Sequence, residues 1–369
     1  MRILLTGGGT GGHIFPLVAV ARKLREKLGE DVELLCVGSG SEIEKETMKA
    51  ERIPAKYIFA GKMRRYFSAL NFVDFFKIPI GLIQSLFILL RFMPDAVFSK
   101  GGYVSVPVVI AAWMYRIPVI IHESDATPGT ANKILAKFST KIAVSYPSTQ
   151  SYFEASKTAI IGNPVRDGIN EGNKDEARKA FGFSESRPVI LVLGGSQGSE
   201  VINEAIIRIL PKLIQHTQII HQTGGKNYEK VLRQAGEQGI KAGREGYSAT
   251  PFLDFEKLKQ AYAVSDLVIS RAGANIIAEI AANAKPNILI PLEHSAQDHQ
   301  RMNAYEIAKA GGTLVLEESN LGENIFLEKI EKILFSDELK KNMSQHISAF
   351  YHPQAAEYIA EGLIELGKG

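Results

Sequence analysis

Cysteine is nearly absent from this chain of 369 residues, which contains one thiol, Cys36. A single cysteine cannot form a disulfide within the chain, so the sequence favours a protein of a reducing compartment. Cys36 lies in an apolar stretch, which favours a buried core thiol over a nucleophile. Metal-ligand spacings such as H-E-x-x-H and C-x-x-C are also missing, so we expect no bound metal and no cofactor.

Long apolar runs are missing too. The longest uncharged apolar segment, 78–90, has 13 residues, fewer than the roughly 18–20 that span a bilayer. The opening run, residues 1–6, is short and ends in glycines, unlike a secretory signal peptide. We therefore expect no segment to cross a membrane, although one could lie on it.

The charge is small overall but unevenly distributed. The net charge is +3, yet residues 1–165 hold 20 Lys and Arg against 13 Asp and Glu, and residues 166–369 hold 23 against 27. The first half therefore favours anionic partners such as phosphates or lipid headgroups. Apolar residues make up 45% and charged residues 22%, which is typical of globular proteins, and the length predicts two domains.

Short β-rich runs alternate with amphipathic helical runs, and this pattern predicts an α/β fold with parallel strands and crossover helices. The predicted strands are 2–6, 32–37, 96–99, 119–122, 142–145, 189–193, 218–221, 267–270, 287–291 and 313–316. ILLTGGGTGGH begins at Ile3 and the similar ILVLGGSQGSE begins at Ile190, which indicates two Rossmann-like halves. We predict domains at 1–164 and 165–350, with a helix at 353–366 that packs back on the first domain.

The two glycine turns are candidate phosphate sites, because glycines let backbone amides approach an anion and a helix N-terminus follows. Gly7, Gly9 and Gly12 match the dinucleotide pattern G-x-G-x-x-G. The second strand, however, ends at 36–39 without the carboxylate that binds ribose. NAD binding and a purely structural turn remain alternatives.

Polar clusters follow several predicted strands, at the edge where open α/β sheets bind ligands. Lys100 is interpreted as either a ligand contact or a solvated charge, and residues 122–125 as either ligand contacts or a network that anchors their loop. Glu279, one turn inside a helix, is a candidate acceptor of hydrogen bonds from two ribose hydroxyls. The alternative is an acidic side chain on the surface of the helix. The polar segment 291–300 fits recognition of sugar hydroxyls better than a metal.

A basic and aromatic stretch, 62–92, has the composition of an interfacial membrane patch. The candidate membrane residues are Arg64, Arg65, Phe72, Phe75, Phe76, Leu82 and Phe87. The alternative is a buried crossover helix, and both interpretations hold if its two faces differ.

Seven motifs in order resemble one enzyme family. They are GGGTGGHIFP (7–16), SKGGYVSVP (99–107), HESDATPGTANK (122–133), GNPVR (162–166), GGSQGS (194–199), SRAGANIIAEI (270–280) and QDHQRMNA (297–304). Over nearly the whole chain they resemble the bacterial peptidoglycan enzymes that transfer N-acetylglucosamine (GlcNAc) from UDP-GlcNAc to lipid I, giving lipid II. The resemblance implies a GT-B fold, two doubly wound domains facing a cleft, and an inverting reaction without a metal.

By this resemblance, the second domain binds UDP-GlcNAc. Leu253 is expected beside the uracil, Ser196 at the diphosphate and Glu279 at the ribose. The other implied donor contacts are Thr10, Gly11, Gly12, Arg166, Ala274, Asn275, Ile276, His299 and Gln300. Many members of the family have a Gln-Gln pair where this chain has His299 and Gln300.

The resemblance also implies that the first domain binds the acceptor. The implied contacts are Gly8, Gly9, His13, Gly101, Gly102, Tyr103 and His122. His13 is the first candidate for the base that takes the hydroxyl proton, because imidazole titrates near neutral pH. Asp125, which is Asn in many members, and Glu123 are alternatives.

The implied partners are UDP-GlcNAc, lipid I and anionic inner-leaflet lipid, with no nucleic acid. The implied place is the cytoplasmic face of the bacterial cell membrane, as a peripheral protein. Two other functions remain open. One is another UDP-sugar enzyme, such as a UDP-GlcNAc 2-epimerase that needs no lipid acceptor. The other is a non-catalytic sensor that binds UDP-GlcNAc and releases no UDP.

Overall fold

The computed structural model describes residues 1–8, 11–60, 69–195, 197–244, 246–293 and 295–369, and at 69–78 and 296 it describes the backbone only. The chain divides into two compact units. The first is Met1–Arg166 together with His352–Gly369, and the second is Asp167–Tyr351. The domain boundaries expected from the sequence were 164/165 and 350, with the returning helix at 353–366.

The first unit is built on a sheet of seven parallel strands. The strands are Arg2–Thr6 (β1), Glu33–Gly38 (β2), Ala55–Tyr57 (β3), Ala96–Ser99 (β4), Val119–Glu123 (β5), Lys141–Val144 (β6) and Thr158–Ile160 (β7). The helices are Gly11–Leu28 (α1), Glu42–Ala50 (α2), Ala69–Phe92 (α3), Ser105–Met114 (α4), Thr130–Leu135 (α5), Pro147–Gln150 (α6), and the 3-10 turns Gly29–Asp31 and Ala155–Lys157. The strand order is β3-β2-β1-β4-β5-β6-β7.

The second unit repeats this plan with six parallel strands. They are Val189–Leu193 (β8), Gln218–Gln222 (β9), Tyr247–Thr250 (β10), Leu267–Ser270 (β11), Asn287–Leu289 (β12) and Leu314–Val315 (β13), in the order β10-β9-β8-β11-β12-β13. The helices are Lys174–Phe181 (α7), Glu200–Leu213 (α8), Tyr228–Glu237 (α9), Phe255–Val264 (α10), Ala274–Ala282 (α11), His299–Lys309 (α12), Glu323–Leu334 (α13) and Asp337–Ser348 (α14), with 3-10 turns at Ala296–Asp298 and Glu318–Asn320.

The central strands are buried on both faces, which is why their sequences are continuous apolar runs. Ile3, Leu4 and Leu5 of β1 are all fully buried, as is every residue of β8 from Val189 to Val192. In each sheet the chain reverses its winding beside the first strand, between β1 and β4 and between β8 and β11. Both glycine turns therefore lie at a topological switch point, where doubly wound sheets bind ligands. The predicted fold class is confirmed.

A last helix, Ala355–Gly367 (α15), belongs to the first unit. Ile359 and Leu363 are buried in one core cluster with residues of α1 and β4. Cys36 of β2 lies in the same cluster, fully buried, and burial raises the pKa of its thiol. This is the core thiol that the sequence predicts. Among the described residues, no helix combines the length and the apolarity that a membrane span requires.

Candidate substrate-binding sites

In the first unit, the glycine turn after β1 packs directly against the turn after β4. The Lys100 amide donates to Thr6 O at 2.9 Å, and a Cβ added at Gly7 would lie 3.2 Å from Lys100 Cβ. Gly102 has a φ of +85°, and a Cβ there would lie 3.3 Å from Gly8 O. The two backbones approach so closely that side chains at Gly7 and Gly102 would push them apart.

His13 lies on the first turn of α1, beside both turns. Its Cε1 atom is 3.6 Å from the position of a Cβ on Gly102, and part of its surface is exposed. Burial and the Lys100 ammonium lower the pKa of His13 to about 4, against the opposing effect of Asp125. At neutral pH the imidazole is therefore unprotonated and able to accept a proton.

Lys100 is buried, with 2% of its surface exposed. This burial argues against the solvated-charge alternative, because Lys100 directly follows the central strand β4 and its backbone is bonded to β1. Burial lowers the pKa of its ammonium, whereas the carboxylates of Glu123 and Asp125 raise it. The first unit thus holds a buried lysine on the turn that packs against the glycine turn after β1.

Glu123 anchors the loop after β5. Its carboxylate accepts hydrogen bonds from the backbone of Asp125 at 3.0 Å and of Gly129 at 2.9 Å, and from Asn132 Nδ2 at 2.9 Å. Burial, followed by the charge of Asp125, raises its pKa. Because three donors already occupy this carboxylate, the geometry favours the loop-anchoring interpretation of Glu123. Asp125 is more exposed than Glu123.

His122 is fully buried. Its Nε2 lies 2.8 Å from Gly162 O, and burial together with Lys100 lowers its pKa well below the ordinary value. It therefore ties the loop after β5 to the GNPVR segment. In that segment, Arg166 places its guanidinium 4.8 Å from the centre of the Phe15 ring on α1. Tyr103, the other expected acceptor side chain, is half-buried.

In the second unit, the glycine turn after β8 leads into α8. Gly195 and Gly198 have φ values of +90° and +78°, and a Cβ at Gly198 would overlap the carbonyl of Thr223. The Ser199 hydroxyl accepts a hydrogen bond from the Ile202 amide at 3.3 Å and so caps the helix. A tight turn followed by a capped helix N-terminus is a favourable site for a phosphate group.

Gln222, at the end of β9, connects this turn to the loop after β10. Its Nε2 donates to Gly195 O at 3.1 Å, and its Oε1 accepts from the Leu253 amide at 2.9 Å. Leu253 is 2% exposed, and with its amide occupied, its carbonyl is the backbone group left to meet a base edge. Gln222 was not predicted from the sequence, because a single glutamine at a strand end carries no motif.

Arg271 is a second buried side chain for which the sequence predicts no role, although it lies within the motif at 270–280. Its Nη2 donates to the Ser199 hydroxyl at 2.7 Å, and its Nη1 donates to the carbonyls of Ile290 and Pro291 at 3.3 Å. It also forms an ion pair with Glu318. Arg271 therefore holds the end of the glycine turn against the strand ends of β11 and β12.

The expected ribose and sugar contacts lie on α11 and α12. Glu279 is 7% exposed and accepts a hydrogen bond from Tyr262 Oη at 3.3 Å. This burial argues against the surface-acid alternative. Gln300 accepts from the Leu292 amide at 3.0 Å, and His299 begins α12 beside it. Ala274, Asn275 and Ile276 form the first turn of α11, with Ala274 buried and the other two partly exposed.

Several expected site residues fall outside the description. Gly9, Thr10, Arg64, Arg65 and Ser196 are not among the described residues, and the side chains of Phe72, Phe75 and Phe76 are not described. Gly11 is buried and Gly12 is exposed at the start of α1. In the described part of the chain, no group of three His, Cys, Asp or Glu side chains is arranged to hold a metal ion.

Helix α3 carries an exposed apolar stripe formed by Ile80, Ile83, Phe87 and Leu90, which are 48%, 65%, 73% and 55% exposed. Their spacing of three and four residues places them on one face of the helix.

Leu82 differs from the prediction, because it packs against a buried core cluster of the first unit. The exposed Trp113 lies near the end of α4, where the Tyr115 hydroxyl donates to Leu86 O of α3 at 3.4 Å.

Comparison with known sequences gives a consistent result. Residues 3–144 match the glycosyltransferase family 28 N-terminal domain, and residues 189–359 match the glycosyltransferase family 28 C-terminal domain. A Clostridium tetani protein is 41% identical over 330 residues, which cover 89% of this chain and 88% of that protein. A Clostridium perfringens protein is 40% identical over 349 residues, covering 94% and 92%. Both are named UDP-N-acetylglucosamine–N-acetylmuramyl-(pentapeptide) pyrophosphoryl-undecaprenol N-acetylglucosamine transferase.

Solved structures share the fold. The crystal structure of Acinetobacter baumannii MurG matches with a TM-score of 0.75 at 24% identity, covering 99% of both chains. UDP-GlcNAc 2-epimerase from Neisseria meningitidis matches with a TM-score of 0.72 at 14% identity, covering 99% of this chain and all of that one. At these identities the structural likeness supports the two-domain GT-B fold, which transferases and epimerases share.

Proposed function

The chain belongs to the UDP-N-acetylglucosamine–N-acetylmuramyl-(pentapeptide) pyrophosphoryl-undecaprenol N-acetylglucosamine transferases of glycosyltransferase family 28, and from this membership we propose its reaction and the roles of its residues. The protein transfers GlcNAc from UDP-GlcNAc to the C4 hydroxyl of the MurNAc sugar of lipid I, and lipid II and UDP are the products. The observation that carries this proposal is the identity of about two residues in five with transferases of that name, over nine-tenths of the chain.

The donor site is assigned to the second unit. The turn 194–199 and the N-terminus of α8 receive the diphosphate, because backbone amides and the helix dipole favour negative charge there. The carbonyl of Leu253 meets the uracil edge, and Glu279 accepts the ribose hydroxyls. His299 and Gln300, on the first turn of α12, read the hydroxyls of the sugar. Gln222 and Arg271 hold the turn in place through the hydrogen bonds described above.

The acceptor site is assigned to the first unit, where the two glycine turns meet. The diphosphate of lipid I binds there, and its MurNAc C4 hydroxyl is presented to His13. The oxygen attacks C1 of GlcNAc on the face opposite UDP, and one displacement converts the α-linked donor into a β-1,4 product. The C1–O bond to UDP breaks as the new bond forms, the electron pair leaves with UDP, and His13 takes the hydroxyl proton.

No resident metal is required in this proposal, because other groups meet the charge that develops on the leaving diphosphate. The positive end of α8, capped by Ser199, is in place before the reaction begins, and donors that are already in place stabilise a developing charge strongly. Addition of EDTA is therefore expected to leave the rate unchanged.

The apolar stripe on α3 is proposed as the surface that rests on the membrane bearing lipid I. Four exposed apolar side chains on one helix face are the arrangement that inserts into the interfacial region of a bilayer. The excess of Lys and Arg in residues 1–165 attracts anionic lipid to the same unit. The protein is then a peripheral protein on the cytoplasmic face, where it meets both substrates.

The test mixes the protein with UDP-GlcNAc and a short-chain lipid I analogue, with and without EDTA. The expected result is disaccharide product and UDP in equal amounts, and the same rate in both samples. UDP-GlcNAc alone serves as the control. Conversion of UDP-GlcNAc alone to its 2-epimer would instead support the epimerase alternative, and nucleotide binding without UDP release would support the sensor.

A further inference from the structure

Glu44, in the first turn of α2, is a buried carboxylate that the proposed reaction does not use. The sequence SEIE at 41–44 has the spacing of a capping box, in which the serine hydroxyl and the glutamate carboxylate bond the amides at the start of the helix. The structure departs from this pattern. The Ser41 hydroxyl has no hydrogen-bond partner among the described residues, and the Glu44 carboxylate bonds the loop before the helix instead.

The Glu44 carboxylate holds the end of β2 and the loop that follows it. Its Oε2 atom accepts hydrogen bonds from the Ser39 amide, the Ser39 hydroxyl and the Gly40 amide, each at 3.1 Å. A carboxylate accepts stronger hydrogen bonds than a neutral oxygen does. Its other oxygen, Oε1, lies against the backbone of Gly38, where an added Cβ would overlap it. Three consecutive residues, 38–40, are thus fixed by one side chain.

This loop also packs against the glycine turn after β1. The amide nitrogen and the hydroxyl oxygen of Ser39 each lie 3.4 Å from the position that a Cβ on Gly8 would take. Val104 Cγ2, from the turn after β4, lies 3.5 Å from the same position. Gly8 is buried between these neighbours, so the position of Ser39 limits where the Gly8 backbone can lie.

We propose that Glu44 is a positioning residue for acceptor binding: through Ser39, its carboxylate holds the Gly8 backbone in the place where the diphosphate of lipid I binds. This inference rests on the proposed function, which assigns the acceptor to this turn. A backbone that is held in advance loses little conformational freedom when the substrate binds. Release of the loop therefore weakens acceptor binding and leaves the donor site in the second unit unaffected.

The first test removes the charge. Glu44→Gln keeps the size of the side chain and replaces one carboxylate oxygen by an amide donor. We expect KM for the lipid I analogue to rise about tenfold, with KM for UDP-GlcNAc unchanged. Ser39→Ala removes one of the three hydrogen bonds and should raise KM for the analogue about threefold. A lower kcat at an unchanged KM for the analogue would overturn the proposal, because a merely structural role reduces the amount of active protein.

Asp95→Asn is the matched control for Glu44→Gln. Asp95 Oδ2 accepts a hydrogen bond from the Arg2 amide at 2.7 Å, at the amino ends of β1 and β4 in the same sheet. This carboxylate also holds backbone in the first unit, but it lies at the end of the strands opposite to the glycine turns. Its replacement should leave both KM values unchanged.

The second test uses the contact between Glu44 and Gly38. Gly38→Ala places a methyl group where Oε1 lies, so it should displace the carboxylate and raise KM for the analogue about as much as Glu44→Gln does. In a Glu44→Ala protein the same methyl group enters the space left by the carboxylate. Gly38→Ala should then add less than a further twofold. Effects of the two substitutions that simply multiply would overturn the proposal.

Direct binding separates the inference from the function on which it rests. Calorimetry measures the affinity for the lipid I analogue without turnover, and thermal unfolding shows that each variant is folded. If the wild type binds the analogue but transfers no GlcNAc to it, the proposed function fails, and weaker binding by Glu44→Gln still supports the inference. Equal affinity of Glu44→Gln and the wild type would overturn the inference even where transfer is observed. A wild type that binds no analogue would overturn both.

Discussion

At the scale of single residues, His13 is the side chain on which the proposed chemistry depends most. His13→Ala is expected to lower kcat by about 10²–10⁴-fold, the usual contribution of a general base. The affinity for UDP-GlcNAc, measured by calorimetry, should stay unchanged because the donor site is assigned to the second unit. A loss of less than tenfold would identify another base, with Asp125 as the next candidate.

Gln222 allows a second test at this scale. Gln222→Ala removes two hydrogen bonds that join the glycine turn to the Leu253 loop, each worth about 0.5–1.5 kcal/mol. We expect KM for UDP-GlcNAc to rise about tenfold, with KM for the lipid I analogue unchanged. Gln238→Ala, at an exposed position, is the control. An unchanged KM for the donor would mean that the turn keeps its shape without this link.

The residue scale also marks the limit of inference from sequence. Glycine turns and polar clusters at strand ends could be identified because parallel strands place their carboxyl ends at one edge. The burial of Lys100 could not, because it depends on how the loops after β1, β4 and β5 cover one another. Gln222 was missed for a similar reason: its two partners, Gly195 and Leu253, are distant in sequence.

At the scale of elements, the apolar stripe of α3 can be tested directly. Replacing Ile83, Phe87 and Leu90 together by Ser should weaken binding to phosphatidylglycerol vesicles by at least about tenfold, because it removes exposed apolar surface that would enter the bilayer. Phe335→Ser is the matched control, since Phe335 is 61% exposed in the second unit. The single tryptophan, Trp113, should shift its emission to shorter wavelength on binding.

Equal vesicle binding by the triple variant and the wild type would disprove the membrane assignment of this stripe. Loss of the folded state would instead assign these side chains to the core. The exposure of these three side chains argues against that outcome, since among the described side chains of α3 Leu82 and its neighbours on the opposite face pack inward.

The strands in the centre of the sheets could be predicted, whereas three of the four edge strands could not; the fourth edge strand, β13, lies within the predicted strand 313–316. β3, β7 and β10 were all missed, and each is an edge strand with one neighbour. Ala159 and Ile160 of β7 are exposed, so no apolar run identifies that strand. Edge strands are determined by pairing with a neighbour more than by their own composition.

At the scale of the whole molecule, α15 links distant parts of the chain. Leu363→Ala leaves a cavity in the core that α15 shares with α1 and β4, and should lower the unfolding free energy of the first unit by about 2–5 kcal/mol. Urea unfolding followed by Trp113 fluorescence measures this unit, because the single tryptophan lies in it. Glu365→Ala, exposed on the same helix, should change the value by less than about 0.5 kcal/mol.

The first unit combines Met1–Arg166 with His352–Gly369. It therefore cannot complete its fold in the order in which the ribosome makes the chain. On the ribosome, the strands of the first sheet emerge early, yet their covering helix emerges only after the uninterrupted second unit has been made. The second unit is therefore free to reach its native state first. A ribosome that stops before residue 355 releases a chain whose first unit lacks its closing helix and presents bare apolar surface to chaperones and proteases.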